Sequence, residues 1–257
     1  MSRLPRLAVL IEAGAVSQDP SPRSPSRASA DPQARGYAGA TALVSLVDSG
    51  LDAIAVVAGG AGLAARAAAR ELGEFGLVDR LTVLPEPLVL RAGPGGRRPF
   101  TVLGGAPQHG PEQLPDQDAV VLVGPPAGIG PVRWDTPGPP PPPELVRGAD
   151  GFFGGVFHPE LEGVFRVSSD PELAGPQGRW IGEYVRGRYL LPSRSVMVCG
   201  AGRVAGLPGR GGLVSRPDGQ AAAASRRYLK ALAKEIRRGH ARASRAGYPL
   251  PVPACQA

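Results

Sequence analysis

The sequence predicts an α/β fold: a Rossmann-like, doubly wound parallel sheet, then a smaller C-terminal α+β region that ends in a basic helix. Three segments carry that prediction. Arg6-Leu-Ala-Val-Leu-Ile11 runs into Glu12-Ala13-Gly14, Leu51–Val57 runs into Ala58-Gly59-Gly60, and Asp118–Val123 runs into Gly124. Successive side chains of a strand point to opposite faces, so a run that is apolar at every position suits a strand covered on both sides. Small residues at the carboxyl ends of such strands let backbone approach a ligand in the crevice outside the sheet.

The remaining elements follow in order. Residues 17–35 are rich in proline and serine, which neither hold a ladder nor bury a face, and are expected as a mobile loop. Tyr37–Asp48 places Ala40, Leu43, Val44 and Val47 at helical spacing, with Ser49-Gly50 as the stop. Gly59-Gly60 opens an alanine-rich helix over Ala61–Phe75, stopped at Gly76, and Leu77–Leu84 gives a third strand. The alternation of strand and helix favours right-handed parallel closure. Residues 85–117 are irregular apart from a short strand at Phe100–Leu103, and Asp118–Gly124 is the fourth core strand.

Pro137–Pro143 is a stiff polyproline II segment, a rigid spacer or a ligand for a proline-reading partner. Beyond it, Gly151–Phe157 and Gly163–Val167 read as a hairpin around His158, Trp180–Tyr189 as a helix and Ser195–Cys199 as a strand. The expected division is residues 1–150 for the Rossmann-like part and 151–257 for the C-terminal region.

Composition bounds the function classes. The chain has 257 residues, enough for a packed core, with 42% hydrophobic and 20% charged residues. Its 29 basic residues include only two lysines, Lys230 and Lys234. Eleven of the 29 fall in residues 203–246 against Asp218 and Glu235, so the net +7 is a property of the C-terminal part. Two cysteines, Cys199 and Cys255, make neither a disulfide framework nor a zinc site. His109, His158 and His240 lack metal-ligand spacing. No apolar stretch reaches the roughly 20 residues of a membrane span. The opening residues do not read as a secretory leader, and a reducing cytoplasm is the expected compartment.

The order in residues 6–124 resembles the haloacid dehalogenase-like superfamily. In that family the first strand ends in an Asp-x-Asp-Gly-Thr motif, the second in a phosphate-holding Ser or Thr, and a later strand brings Mg²⁺-binding acids. Aligned on Gly14, this chain has Ile11 and Ala13 at the aspartate positions, Ala58 at the hydroxyl position, and Val123-Gly124-Pro125-Pro126 in place of Val-Gly-Asp. The resemblance therefore implies a catalytically degenerate member, with no phospho-aspartyl chemistry and no anchored Mg²⁺. A second stretch, Val9-Leu-Ile-Glu12-Ala-Gly-Ala-Val-Ser17, is similar to the opening of PIN-like NYN ribonuclease domains, with Glu12 in the metal-binding acid's place.

Two surfaces carry binding chemistry. Gly59 and Gly60 precede a helix whose free N–H groups attract anions, with Arg97 or Arg98 expected to close on the same crevice. The second is the helix over Gln220–Arg238, which sets Arg226, Arg227, Lys230, Lys234, Arg237 and Arg238 within about 120° of one face. Tyr228, Leu229, Leu232, Ala233 and Ile236 are expected on the docking side. Gly200-Ala-Gly202 superficially matches a dinucleotide fingerprint, but the glycines and Pro208 that follow do not continue as a helix.

The expectation is a non-catalytic anion-binding, regulatory or scaffolding protein whose C-terminal helix contacts nucleic acid or an acidic protein surface. The alternative is a phosphatase- or ribonuclease-type hydrolase whose acids are displaced, with Glu12 as catalytic candidate and Mg²⁺ as cofactor.

Overall fold

The computed structural model describes residues 4–11, 31–59, 62–86, 88–93, 97–105, 112–124, 133–134, 152–158, 161–199 and 218–247. The strands are β1 (Arg6–Ile11), β2 (Asp52–Ala58), β3 (Leu81–Leu84), β4 (Leu88–Gly93) and β5 (Arg97–Gly104). They continue as β6 (Glu112–Gln113), β7 (Ala119–Val123), β8 (Arg133–Trp134) and β9 (Val164–Val167). The helices are α1 (Pro32–Asp48), α2 (Leu63–Glu74), α3 (Pro171–Val185), α4 (Arg194–Cys199) and α5 (Asp218–Arg245).

Five strands form a parallel sheet in the order β3-β2-β1-β7-β9. The fold is therefore Rossmann-like α/β, and the chain reverses its direction of travel across the sheet between β1 and β7. The two faces are covered differently. Leu7, Val9 and Ile11 of β1, with Ala119, Val121 and Val123 of β7, join the core shared with α1, α2, α3 and α5. Ala8 and Leu10, with Val120 and Leu122, face a core shared with β4 and β5. A four-stranded sheet, β6-β5-β4-β8, covers that second face. This two-sided burial is why β1 is apolar at every position from Leu7 to Ile11, and each large side chain buried there contributes about 1.5–3 kcal/mol.

Close approach between helices needs glycine at two places. A Cβ on Gly178 of α3 would stand 2.8 Å from the Ala42 carbonyl oxygen of α1. One on Gly36 of α1 would run into the Ala64 carbonyl oxygen of α2 and lie 2.8 Å from Ala67 Cβ. Both contacts fix α1 between α2 and α3.

Several expectations are corrected. The segment taken as loop to residue 35 turns helical at Pro32, because Asp31 caps α1 by accepting a hydrogen bond from the Gln33 N–H (2.9 Å) and Pro32 suits the first helical position. The third strand is shorter than expected, since a 3₁₀ turn at Val78–Arg80 precedes it. Residues taken as irregular hold β4, β5 and β6; Leu88, Leu90 and Ala92 alternate inward opposite Phe100 and Val102, a hairpin pattern flanking Pro94-Gly95-Gly96. Ser195–Cys199 is helical, within α4, with Met197 buried in the main core.

The boundary at residue 150 does not divide the core. β9 is the fifth strand of the parallel sheet, and the expected hairpin around His158 is built onto it: Phe157 bridges Phe165 antiparallel, and the Arg166 N–H donates to the Val156 carbonyl at 2.9 Å. Phe153, Phe157, Phe165, Trp180, Tyr184 and Tyr189 pack as one aromatic cluster in the same core as β1. Residues 137–143, Glu12, Gly60 and Gly200–Gly202 lie outside the described residues. Among the described residues no helix is long and apolar enough to cross a membrane.

Candidate functional site

The two ends of the parallel sheet treat charge in opposite ways. At the amino end, each strand starts beside an ion pair or a capped amide. The Arg6 backbone N–H donates to Asp118 Oδ2 at 2.8 Å, and Arg80 Nη1 meets Asp52 Oδ1 at 2.5 Å with Arg6 Nε 3.9 Å from Asp52 Oδ2. Arg98 Nη2 donates to Glu162 Oε1 at 2.8 Å, just before β9.

Arg98, expected at the crevice, therefore belongs to the opposite edge. β5 runs antiparallel to β4, which leaves the carboxyl end of β3, so its first residues return to the amino side, where Phe100 exchanges backbone hydrogen bonds with Gln117. Arg97 starts the same strand and pairs with Gly93 at the far end of that hairpin. Gly59 and Arg98 stand at opposite ends of the sheet, roughly 20 Å apart for strands rising ~3.3 Å per residue.

At the carboxyl end three helices begin, and they differ. Asp31 caps α1, and Asp170 caps α3 by accepting from the Glu172 N–H at 3.0 Å. α2 starts at Gly62 with no side-chain cap and no acid in its first turn. Its leading amides and the positive end of its dipole have no carboxylate of their own, and Arg66 stands exposed in the same turn.

Gly59 adopts a left-handed backbone (φ 76°) and donates its N–H to the Leu84 carbonyl at 2.9 Å. A Cβ there would lie 3.0 Å from Glu86 Oε1, so a carboxylate already stands against Gly59. Among the described residues the uncapped amides at this edge are therefore those of the first turn of α2, and Gly59 already faces a carboxylate.

Arg35 was not anticipated. It is 7% exposed, in the first turn of α1, beside the glycine that touches Ala64 of α2. Gly39, one turn later, packs on Ile11 and Val123, the last residues of β1 and β7, so that first turn reaches over the point where the sheet order reverses. The sequence held a signal for it: Arg35 is spaced three, four and seven residues before Ala38, Gly39 and Ala42 on the buried side of α1.

The chemistry expected from acids finds no such support at this edge. Ile11, at the aligned nucleophile position, is fully buried against Gly39, and Ala58 is 2% exposed. Among the described residues no three His, Cys, Asp or Glu side chains gather as a metal ion would require.

α5 runs along the other side of the helical layer. Arg226, Arg227, Lys230, Lys234, Arg237 and Arg238 are all exposed, while Tyr228 and Leu232 are buried. Ala233, expected on the docking side, is exposed instead, since 100° per residue sets it next to Arg226. The docking side holds a carboxylate that sequence reasoning missed. Glu235 is 3% exposed and accepts from Arg242 Nη2 at 2.7 Å and from the Tyr189 hydroxyl at 3.0 Å. Burial, then the neighbouring Glu235 charge, pushes the Tyr189 phenol far above its ordinary range, against the pull of Arg242. Burial also pushes Tyr228 up to about 12; its hydroxyl accepts from Gln177 and donates to the Gly154 carbonyl. These groups lock α5 to the body.

No family model and no curated protein matches this chain. Among solved structures it is similar to S-allyl-L-cysteine S-oxygenase from Allium sativum, with 11% identity and a TM-score of 0.52 over 95% of this chain and 94% of that one. At that identity the likeness concerns the α/β fold alone.

Proposed function

We propose that this is a non-catalytic anion-binding protein of the regulatory or scaffolding kind, holding its ligand at the carboxyl edge of the sheet and using α5 as a contact surface. One observation carries the reading: of the three helices that begin at that edge, two are closed by their own aspartates, whereas among the described residues α2 has no side-chain cap. A helix start without a carboxylate, with Arg66 exposed in its first turn, presents free amides and the positive end of a dipole that a phosphate, sulfate or carboxylate group would neutralise. The likeness to the haloacid dehalogenase-like superfamily stays within this reading as a degenerate member, with Ile11 in the place of the nucleophile.

The test adds inorganic phosphate or pyrophosphate to the full chain and follows thermal unfolding. A ligand that binds only the folded state stabilises it by RT ln(1 + [L]/Kd), so the midpoint should climb with concentration. Gly62→Asp supplies the missing cap from the protein itself at a backbone (φ −74°) that any residue adopts. That variant should fold at least as stably and lose the phosphate response, and Arg66→Gln should weaken it. Retention of the full response in Gly62→Asp, or none in the wild type at millimolar anion, overturns the reading. Mg²⁺-dependent phosphomonoester turnover that vanishes in Glu12→Gln would instead establish the hydrolase.

A further inference from the structure

The basic face of α5 is the largest concentration of charge on the described surface, and its construction restricts what it fits. The helix is 28 residues long, so it extends about 42 Å at 1.5 Å per residue. Arg226, Lys230, Lys234 and Arg238 follow one another at single-turn steps, with Arg227, Arg237 and Arg245 beside them, all exposed. Among the described residues Arg226, Arg227, Lys230, Lys234 and Arg237 carry no ion pair, and only Arg238 approaches a carboxylate, Glu235 at 3.9 Å.

That carboxylate is the sole acid within Arg226–Arg245 and is buried on the opposite side, held by Arg242 and Tyr189. Among the described residues nothing neutralises the stripe, and the helix that carries it is rigid. Between the cations stand Ala222, Ala233, Ala241 and Ser244, exposed and small, which lets a partner approach the helix axis.

Four kinds of partner meet this surface unequally. A membrane helix needs an apolar face to insert, and here Tyr228, Leu232 and Ala243 are committed to the protein interior. A protein interface is built around aromatic or large aliphatic anchors, and the exposed face offers only alanine as apolar surface. Single-stranded nucleic acid binds by stacking bases on aromatic rings, of which this face has none. A duplex asks only for cations along its phosphate backbone, which carries a charge every ~1.7 Å of axis.

We infer that α5 lies along the phosphate backbone of double-stranded nucleic acid, a sequence-independent contact made by its basic stripe. This deepens the reading of α5 as a contact surface and is independent of the anion site at α2.

The experiment measures binding of the full chain to duplex DNA and duplex RNA of about 20 base pairs, longer than the helix at ~3.4 Å per pair. The same strands unpaired, and vesicles rich in phosphatidylserine, run beside them at about 50 and about 200 mM salt. Duplex binding should weaken steeply with salt. The variant Arg227→Gln, Lys230→Gln, Lys234→Gln, Arg237→Gln should bind at least tenfold more weakly, with a log–log salt slope shallower by about 3 to 4, near 0.9 per lost contact. All four side chains are exposed, so its unfolding midpoint should stay put. Arg227→Lys with Arg237→Lys keeps the charges and should keep the slope.

The difference between DNA and RNA duplex affinities identifies the source of the duplex. Absence of duplex binding at low salt, an unchanged slope in the glutamine variant, or tighter binding to single strands or vesicles overturns the inference. Arg35→Gln should leave duplex binding intact. If it abolishes binding and the glutamine variant does not, the polyanion sits at the crevice, so this inference fails and the α2 reading survives.

Discussion

The amino and carboxyl edges of the parallel sheet are made by the same strands, yet among the described residues one is electrostatically closed and the other open. At the amino edge Asp52, Asp118 and Glu162 are matched to Arg80, the Arg6 amide and Arg98 within 2.8 Å. At the carboxyl edge the strands stop at Ile11, Ala58 and Val123, and the helix starts that cap themselves do so with Asp31 and Asp170. The difference teaches that a basic residue near a glycine-ended strand in sequence says little about a ligand until its edge is known. Arg98 is spent on Glu162 at the amino edge, while Arg66, with no motif around it, stands exposed in the first turn of α2 at the other.

The comparison breaks most visibly at Gly36. Gly36→Val would drive a branched side chain into the Ala64 backbone oxygen and Ala67, neither of which has a flexible end to yield. It should cost about 2–3 kcal/mol as overpacking, read as a lower urea midpoint, and should weaken phosphate binding by separating the first turns of α1 and α2. A neutral result would mean that these turns are not pressed together at the carboxyl edge.

The caps give the next largest effect. Asp31→Ala and Asp170→Ala should each lose about 1 kcal/mol of stability, whereas Gly62→Asp should gain a few tenths. Opposite signs at chemically equivalent positions would sharpen the contrast between closed and open helix starts. If all three substitutions destabilise, α2 is closed by other means.

The smallest effect belongs to the amino edge. Glu162→Gln removes an ion pair whose partners are 25% and 56% exposed, so it should cost less than about 1 kcal/mol and leave phosphate affinity unchanged. A phosphate response that falls with Glu162→Gln would show that the two edges are coupled.

Much of the fold was legible before any coordinates. The runs at β1, β2 and β7 carry their burial in their own composition, because a strand covered on both faces must be apolar at consecutive positions. α2 was legible from its alanine-rich composition and α5 from helical periodicity, and the exposed stripe from Arg226 to Arg238 follows from 100° per residue. The site was legible only in part. Gly59 marked the right edge, but Glu86, 27 positions away, occupies the space beside it, and nothing local to Gly59 encodes that approach.

What the sequence by itself determined are the quantities set by neighbouring residues: where β1, β2, β7, α1, α2 and α5 run, the two-sided burial of the central strands, and on which side of α5 the cations lie. Tertiary structure decided the rest. It recruited β9 into the sheet across 40 residues from β7, turned β4 and β5 into the cover of its second face, and placed Arg98 at the closed end and Arg35 at the open one. It also chose Glu235 as the buried partner of Arg242 and Tyr189. The physical reason is that periodicity reports how deeply a side chain is buried but not against what. The partner is selected by chain closure over long separations, where apolar burial has no direction and only the assembled shape discriminates.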